Sequence, residues 1–275
     1  MKLDTEDFDY VCIMAKQEAA LVFESGKEYL IESRLVPVAK EHGFTTLKSF
    51  IDRMRKGTLS SEVKQKFLNV LTTNETYFFR DFHPFESLRD HILPELIEKC
   101  RATKKINIWS AACSSGQEVY TFMMLLREHF PELDDWEIRV VASDISTTVL
   151  NQAQTGIYNQ VEVNRGLPAR LLVKYFRKEN DRWVVHESLR QGVEFRSINL
   201  ISPWPILPPM DIVFLRNVMI YFDVTTKQAI LKKMRQVLKS ERYLFLGGAE
   251  TTLHLDNAFT PTQHGKTIVY KTPAA

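Results

Sequence analysis

The sequence predicts an α/β protein in which a small all-α N-terminal domain precedes a doubly wound, mostly parallel sheet with a small inserted β-subdomain. Helical periodicity without strands fills the first third of the chain. Residues 106–246 then alternate short β-prone runs with helical segments, and residues 171–195 interrupt that alternation. We therefore place the helical domain at residues 1–80, the α/β domain at residues 81–275 and the insertion at about residues 171–195.

Four helices are expected in the first domain, because apolar residues recur at helical spacing and glycines mark the breaks. Ser, Thr or Asn before such a segment can cap its first turn. The predicted helices cover residues 8–23 and 27–42, a third between a cap at Thr45 or Thr46 and Gly57, and a fourth that starts after Ser60 or Ser61. We interpret their apolar stripes as core rather than as a ligand pocket.

The rest of the chain has the alternation that a parallel sheet with crossover helices requires. Strands are predicted at residues 106–109, 138–144, 210–215 and 243–246, and helices at 117–130, 146–154 and 225–238. A terminal hairpin is predicted at residues 259–271, where Gly265 lies between two β-prone runs. Inside the insertion, residues 182–185 and 193–195 are predicted strands near a turn at 179–181.

Composition and charge argue against several classes of function. The chain is 44% apolar and 25% charged with a formal net charge of +2, so no overall field marks a nucleic-acid-binding protein. Cys12, Cys100 and Cys113 form no C-x-x-C pair, and we expect neither a disulfide framework nor a metal site. The acidic N-terminus and the lack of an apolar run of about 18 residues predict a cytoplasmic protein without a spanning helix.

A loop of small residues follows the first predicted strand, where doubly wound sheets bind nucleotide-like ligands. Residues 110–116 contain a single glycine, Gly116, instead of G-x-G-x-x-G. This departure disfavours a dinucleotide and fits an amino-acid-bearing ligand such as S-adenosylmethionine at least as well. Asp144, at the end of the second strand, has two open interpretations: it accepts ribose hydroxyls, or it caps the next helix.

Two further segments combine polar groups with aromatic or apolar runs. Residues 71–80 place Asn, Thr and Arg80 beside three consecutive aromatics at the domain junction, and such junctions are preferred ligand sites. The alternative is a helix end that packs its aromatics and leaves Arg80 in solvent. Arg216 and Asn217 interrupt an apolar run at the end of the third strand. Because a buried charge needs a partner, we interpret both as lining a polar cleft.

Together these segments resemble the chemotaxis receptor methyltransferase (CheR) family. The similarity rests on residues 71–80, 109–118, 142–145, 199–200 and 216–222, whose order and spacing match over nearly the whole chain. It implies a Rossmann-like, S-adenosylmethionine-dependent methyltransferase domain. It also implies the activity of a protein-glutamate O-methyltransferase that forms methyl esters on the cytoplasmic helices of membrane chemoreceptors.

The resemblance also implies roles for ten residues. Arg80 and Tyr221 are the catalytic candidates. Glu118 matches the acid at the cofactor's amino-acid end, Asp144 the ribose-binding acid, and Asn199 with Leu200 the pair beside the adenine. The complete set of cofactor-binding candidates is Asn74, Thr76, Arg80, Glu118, Asp144, Asn199, Leu200, Arg216 and Asn217. Residues 247–250 read Gly-Gly-Ala-Glu where many members have a Gly-His-Ser-Glu-like string, so that loop receives no role.

Receptor docking requires a surface, and residues 27–80 contain about ten basic against about six acidic side chains. The basic candidates for an acidic receptor helix are Arg34, Lys40, Arg53, Arg55 and Lys56; the alternative is a solvated surface of mixed charge. The turn at residues 178–182 lacks the glycine-rich extension of members that grip a receptor tether. We therefore expect a monomer that docks without a C-terminal tether and binds neither nucleic acid nor membrane.

Three other functions are weighed against this one. The same cofactor could serve a small-molecule or RNA substrate, although the near-neutral charge disfavours RNA. A cofactor-responsive binding module would bind S-adenosylmethionine without turnover. A NAD-dependent dehydrogenase is the weakest alternative, because the loop has one glycine and no residues suited to hydride transfer are evident.

Overall fold

Four helices form the N-terminal part of the computed structural model, which describes residues 2–274. They are α1 (Thr5–Ala19), α2 (Glu28–Glu41), α3 (Leu47–Arg55) and α4 (Ser61–Leu71). The side chains of Asp4, Thr46 and Ser60 each accept a hydrogen bond from the backbone N–H three residues later, which caps α1, α3 and α4. The first helix ends at Ala19 rather than near residue 23, because Ala20 adopts a left-handed conformation with φ of 52°.

The four helices bury their apolar stripes against one another, as the sequence predicted. Val11, Ile31, Leu35 and Phe50 are completely buried in this cluster, and each such side chain contributes about 1.5–3 kcal/mol relative to exposure. The partly buried ring of Tyr221, from the α/β domain, packs against the same cluster. The helical core therefore reaches the region where the sequence placed a catalytic candidate.

The remaining chain alternates helices and strands. A continuous helical segment comes first: α5 (His83–Ser87), a π-helical turn (Leu88–Ile92) and α6 (Leu93–Cys100). The elements that follow are β1 (Lys105–Ala111), α7 (Gln117–His129), β2 (Glu137–Asp144), α8 (Thr147–Thr155), β3 (Ile157–Tyr158), α9 (Gln160–Asn164), α10 (Ala169–Tyr175), β4 (Phe176–Glu179), β5 (Arg182–Val185), α11 (Glu187–Arg190), β6 (Val193–Ser197), β7 (Met210–Leu215), α12 (Val224–Val237), β8 (Leu238–Leu246), β9 (Thr260–His264) and β10 (Thr267–Lys271).

Seven strands form the large sheet in the order β6-β2-β1-β7-β8-β10-β9. The pairs β6–β2, β2–β1, β1–β7 and β7–β8 are parallel, whereas β10 runs antiparallel to β8 and β9. The predicted doubly wound sheet and terminal hairpin are thus confirmed. Because β1 lies between β2 and β7 and runs parallel to both, the loops after these three strands meet at one edge.

The inserted sheet differs from its predicted outline. It has three antiparallel strands in the order β3-β5-β4 and runs from Ile157 to Val185. The prediction of a strand at residues 193–195 was right in position but wrong in partner, because β6 pairs in parallel with β2 in the large sheet. A short run of β-prone residues indicates a strand without indicating its neighbour.

Two kinds of feature are absent from residues 2–274. Within that range no helix has the length and apolar character needed to cross a membrane. The same range contains no group of three or more His, Cys, Asp or Glu side chains arranged to hold a metal ion.

Candidate functional site

One cleft brings together all ten residues that the sequence singled out. Its empty volume, including the space that is open to solvent, is about 910 Å³. It lies where the loops after β1, β2, β6 and β7 meet the segment that follows α4. The ten candidates in its wall are Asn74, Thr76, Arg80, Glu118, Asp144, Asn199, Leu200, Arg216, Asn217 and Tyr221.

The loop between β1 and α7 is tightly folded. Ala112, Ser114 and Gly116 have φ values of 61°, 50° and 91°, and the Cys113 N–H donates to the Ser143 carbonyl at 2.8 Å. A Cβ on Gly116 would lie 2.8 Å from the Cβ of Ala153 in α8. The single glycine is therefore required for helix packing rather than for approach of the ligand. Non-glycine residues at positive φ concentrate at functional sites, where surrounding contacts sustain them.

Asp144 joins the two loops on either side of the cleft. One carboxylate oxygen accepts the Ser114 N–H and the other accepts the Ser146 N–H, both at 2.9 Å. The cap position of α8 belongs to Ser146, so Asp144 is not the helix cap that the sequence left open. A carboxylate has about four acceptor positions, which leaves room for ribose hydroxyls. Burial raises the pKa of Asp144, against the lowering effect of its backbone hydrogen bonds.

Arg216 is a buried cation whose charge is met inside the protein. Its side chain is 1% exposed, and it donates to Glu118 and to Asp81 at 2.8 Å each. It also donates to the Arg80 carbonyl at 2.9 Å. Its Nε has no hydrogen-bond partner among residues 2–274. Glu118 in turn accepts the Ser110 hydroxyl at 2.8 Å. Arg216 and Glu118 therefore brace the floor of the cleft together.

Arg80 lies in the opposite situation. Its guanidinium donates to the Glu75 backbone carbonyl at 2.6 Å and lies 5.6 Å from the ring centroid of Tyr77. No ion pair joins it to any carboxylate of residues 2–274, although it lines the cleft. Arg80 thus places in the wall of the cleft a positive charge that no carboxylate of residues 2–274 neutralises.

The segment that carries Arg80 is fixed to the cleft by its backbone. The Ser114 hydroxyl donates to the Asn74 carbonyl at 2.9 Å, and the Thr121 hydroxyl accepts the Phe79 N–H at 3.0 Å. Asp81 and Phe82, just beyond Arg80, have φ values of 66° and 49°. The Asn74 side chain donates to the Thr72 hydroxyl, and Thr76 lines the cleft without a side-chain hydrogen bond to another of residues 2–274.

Glu250 organises the loop after β7, a role that the sequence did not reveal. Its carboxylate accepts the backbone N–H groups of Asn217, Met219 and Gly247 at 2.6–2.8 Å and that of Ile220 at 3.3 Å. Asn217 is held at φ of 58°. The only sequence signal was a lone acid after two glycines at a strand end. Gly247 is needed there, because a Cβ would lie 2.7 Å from the Asn217 amide nitrogen.

The helical domain closes another side of the cleft. Ala19 and Leu21, at the end of α1, line it together with Leu200. The Asn199 side chain donates to the Glu18 carbonyl at 2.7 Å and accepts the Ile201 N–H at 3.2 Å. Its amide thus uses one of its two N–H donors and one of its two acceptor positions within the protein. The sequence gave no sign that α1 contributes to the wall.

The lining suits a nucleoside that carries an amino acid. Ile198, Leu200 and Phe222 supply buried apolar surface. The charged groups in the wall are Arg80, Arg216, Glu75, Glu118 and Asp144, one acid more than the bases. That balance complements S-adenosylmethionine, which has one carboxylate against an ammonium and a sulfonium. The Nε of Arg216 has no hydrogen-bond partner among residues 2–274, and Asp144 keeps free acceptor positions.

Comparison with known proteins places this architecture in a family. Residues 74–268 match the family described as CheR methyltransferase, SAM binding domain, and residues 6–72 match CheR methyltransferase, all-alpha domain. The chain is 36% identical to chemotaxis protein methyltransferase 1 of Pseudomonas aeruginosa over 98% of this chain and 99% of that protein. It is 38% identical to the chemotaxis protein methyltransferase of Borreliella burgdorferi, over 82% and 81% of the two chains.

A more distant likeness exists among solved structures. N-methyltransferase NodS from Bradyrhizobium japonicum, in complex with S-adenosyl-L-homocysteine, aligns with a TM-score of 0.38 and 14% identity, over 69% of this chain and 88% of that one. At this TM-score the likeness supports no conclusion about function.

Proposed function

The chain belongs to the CheR methyltransferase family and uses S-adenosylmethionine, and we propose that it esterifies glutamate side chains on the cytoplasmic helices of membrane chemoreceptors. One observation carries the proposal. The cleft that fits the cofactor also contains an arginine, Arg80, that no carboxylate of residues 2–274 neutralises. A site for a carboxylate substrate needs such a group.

Methyl transfer to a carboxylate does not require the protein to move a proton. A glutamate side chain has a reference pKa near 4.3 and is a carboxylate at neutral pH, so no general base is required. The cofactor supplies an electrophilic methyl group. Arg80 and Tyr221 are proposed to orient the carboxylate oxygen toward it, and alignment of this kind lowers a barrier by roughly 7–11 kcal/mol in favourable cases.

The cofactor-binding roles follow from where each side chain lies. Asp144 is proposed to accept the ribose hydroxyls, and Leu200 and the backbone near Asn199 to flank the adenine. Glu118, with the backbone of Asn217, is proposed to hold the ammonium end. Arg216 is proposed to act through its unpartnered Nε and by fixing Glu118. Asn74 and Thr76 complete the wall between Arg80 and the β1–α7 loop.

Receptor docking is proposed to use part of the basic surface of the helical domain. Lys40, Arg53 and Lys56 are exposed. Two of the five expected cations are engaged within the protein. Arg34 donates to the Leu71 carbonyl at 2.6 Å, and Arg55 pairs with the buried Asp7 at 2.9 Å. Three of the five basic side chains expected from the sequence therefore remain free to contact a receptor.

Docking is further proposed to proceed without a receptor tether. Strands β4 and β5 are joined through the two-residue turn at Asn180 and Asp181, with no glycine-rich extension. Such a hairpin adds no loop to clasp a peptide. With this mode we propose a cytoplasmic monomer in which residues 1–80 recognise the receptor and contribute Asn74, Thr76 and Arg80 to the cofactor cleft, while residues 81–275 form the rest of that cleft.

The test is methyl transfer to native receptors. Purified protein is incubated with S-adenosylmethionine labelled in the methyl group and with chemoreceptor-containing membranes, and the labelled receptor band is treated with alkali. Label released as methanol is the expected result, because carboxyl esters hydrolyse in base. Transfer to total RNA or small molecules instead of receptor would contradict the proposal. Binding of S-adenosylhomocysteine without turnover would identify a regulatory module.

A further inference from the structure

The inserted segment grips the loop that carries Arg80 through two adjacent residues, Arg165 and Gly166. The Arg165 guanidinium lies 4.4 Å from the ring centroid of Tyr77 and forms an ion pair with the Glu75 carboxylate. Arg80 lies over the same ring, at 5.6 Å, and donates to the Glu75 backbone carbonyl. Two arginines therefore share one aromatic ring and one glutamate residue, and they use different atoms of the glutamate.

Gly166 fixes the distance between the insertion and this loop. A Cβ on Gly166 would lie 2.0 Å from the Phe78 carbonyl oxygen, and its φ is +85°. The Phe78 ring is fully buried and packs edge-on against Tyr158 and Phe176 of the inserted sheet, at 5.2 and 5.6 Å. Both the backbone and the side chain of Phe78 are thus held by the insertion, close to Arg80 in the chain.

The charges around Glu75 explain why the Arg80 guanidinium has no carboxylate partner. The Glu75 carboxylate hydrogen-bonds to Arg165, which lowers the pKa of Glu75, and the more distant Arg80 adds a weaker lowering effect. Glu75 lines the cleft and is half-exposed, so it could turn toward either arginine. Its pairing with Arg165 leaves the Arg80 guanidinium without an anion.

We propose that Arg165 is a positioning residue for methyl transfer, which holds Glu75 away from Arg80 and so keeps Arg80 available to the substrate carboxylate. The inference rests on the proposed function, because it assigns the open guanidinium to a carboxylate substrate. Arg165 itself touches neither substrate nor cofactor. Without it, Glu75 pairs with Arg80 and competes with the incoming glutamate.

The experiment compares Arg165→Met with the double variant Arg165→Met/Glu75→Gln, using steady-state methylation of a receptor fragment and calorimetry with S-adenosylhomocysteine. Arg165→Met is expected to lower kcat/KM about fivefold, which corresponds to a competing surface ion pair of up to about 1 kcal/mol. Cofactor affinity should change by less than about twofold. Adding Glu75→Gln should restore most of kcat/KM, because the competing charge is gone. A merely structural role for Arg165 would not be rescued in this way.

Arg177→Met is the matched control, since Arg177 pairs with Glu179 on the surface of the same insertion, and it should match wild type. Gly166→Ala gives a second variant, compared with Gly265→Ala, whose Cβ would meet nothing within 4 Å at φ of +58°. Only Gly166→Ala should lower kcat/KM. Wild-type kinetics in Arg165→Met, or no recovery with Glu75→Gln, would overturn the inference while wild-type turnover on receptor continued to support the proposed function. Absence of wild-type turnover on any receptor would instead count against both.

Discussion

The two arginines of the cleft lie in opposite surroundings. Arg216, at the end of β7, is buried and paired with two carboxylates. Arg80, in the segment after α4, is half-buried and pairs with none of the carboxylates of residues 2–274. A cation whose charge is neutralised by carboxylates holds a site together, whereas a cation without such a partner can pair with an anionic ligand. The sequence assigned Arg80 to catalysis and Arg216 to cofactor binding, and the structure gives Arg216 two carboxylate partners and Arg80 none among residues 2–274.

The largest expected effect is on stability at the paired arginine. Arg216→Met leaves Glu118 and Asp81 without their cation, and breaking a buried pair costs about 3–5 kcal/mol. We expect about 3 kcal/mol in urea unfolding, since the Asp81 side chain is 42% exposed. Arg89→Met is the control, because Arg89 pairs with Asp90 at the surface and should cost at most about 1 kcal/mol. Equal losses of stability in the two variants would show that the pairing of Arg216 stabilises the fold no more than a surface ion pair does.

The second effect is on turnover at the open arginine. Arg80→Ala should lower kcat/KM for receptor on the order of 10²-fold, the scale of losing correct orientation. Stability and affinity for S-adenosylhomocysteine should change little. Arg80→Lys keeps the charge but loses the planar fork, so it should recover only part of the activity. A comparable loss of cofactor affinity in Arg80→Ala would place the arginine at the cofactor instead.

The third prediction concerns Asp144, a buried carboxylate that accepts hydrogen bonds from the backbone and is also proposed to bind the cofactor. Asp144→Asn should weaken S-adenosylhomocysteine binding by about 1.5–3 kcal/mol, the scale of hydrogen bonds to a charged group. Burial raises the pKa of Asp144, so wild-type affinity should be full above that raised pKa and decrease as the pH falls through it. The Asn variant should show no such decrease in calorimetry over the same pH range.

The effect of Asp144 on folding has the opposite sign. Because its folded-state pKa lies above the unfolded value, the folded protein binds the proton more tightly. Its contribution to stability is therefore fully present at low pH and is lost as the pH rises through the raised pKa. Unfolding of the ligand-free wild type and of Asp144→Asn over that pH range separates this effect from binding. Parallel pH dependence in the two proteins would contradict the assignment.

The smallest effect is expected at the docking surface. Arg53→Glu/Lys56→Glu should raise KM for receptor about threefold to tenfold at low salt and leave cofactor affinity unchanged. The effect should shrink as the Debye length falls from about 10 Å at 0.1 M to about 3 Å at 1 M salt. Deleting the receptor's C-terminal tail should change little. A large loss on tail deletion, without a salt effect, would show that the insertion grips a tether.

Arg55→Glu sharpens the same comparison. Arg55 pairs with Asp7, whose side chain is 2% exposed, and it stacks over Tyr10 at 4.9 Å. Its reversal should therefore destabilise the contact between α1 and α3, and any rise in KM should be accompanied by a lower unfolding midpoint. The Arg53→Glu/Lys56→Glu variant should raise KM at an unchanged midpoint.

Much of the fold followed from the sequence, because alternating strands and helices leave few topologies. Parallel strands also collect their carboxyl ends at one edge, which is why Glu118, Asp144 and Arg216 could be expected near each other. The two-residue strand β3 and the pairing of β6 could not be foreseen, since short runs do not identify their partners. The grip of Glu250 on four backbone N–H groups was equally hidden, because it depends on loop geometry rather than on residue type.

The internal contacts of arginines in the helical domain were equally hard to predict from the sequence. Arg34, Arg53 and Arg55 look alike in the sequence as docking charges, yet Arg34 and Arg55 are bound to the protein itself. Their difference depends on tertiary neighbours that lie far away in the chain. Counting charges therefore overestimated the surface available to a receptor.

The most direct test of the account identifies the methylated atoms. A receptor cytoplasmic fragment is incubated with the protein and S-adenosylmethionine, digested and sequenced by mass spectrometry, with a parallel sample treated with alkali. We expect single-methyl additions on glutamate side chains of the receptor helices, lost in alkali and absent when those glutamates are replaced by glutamine. Methyl groups on lysine, on a terminus or on other base-stable positions would contradict it.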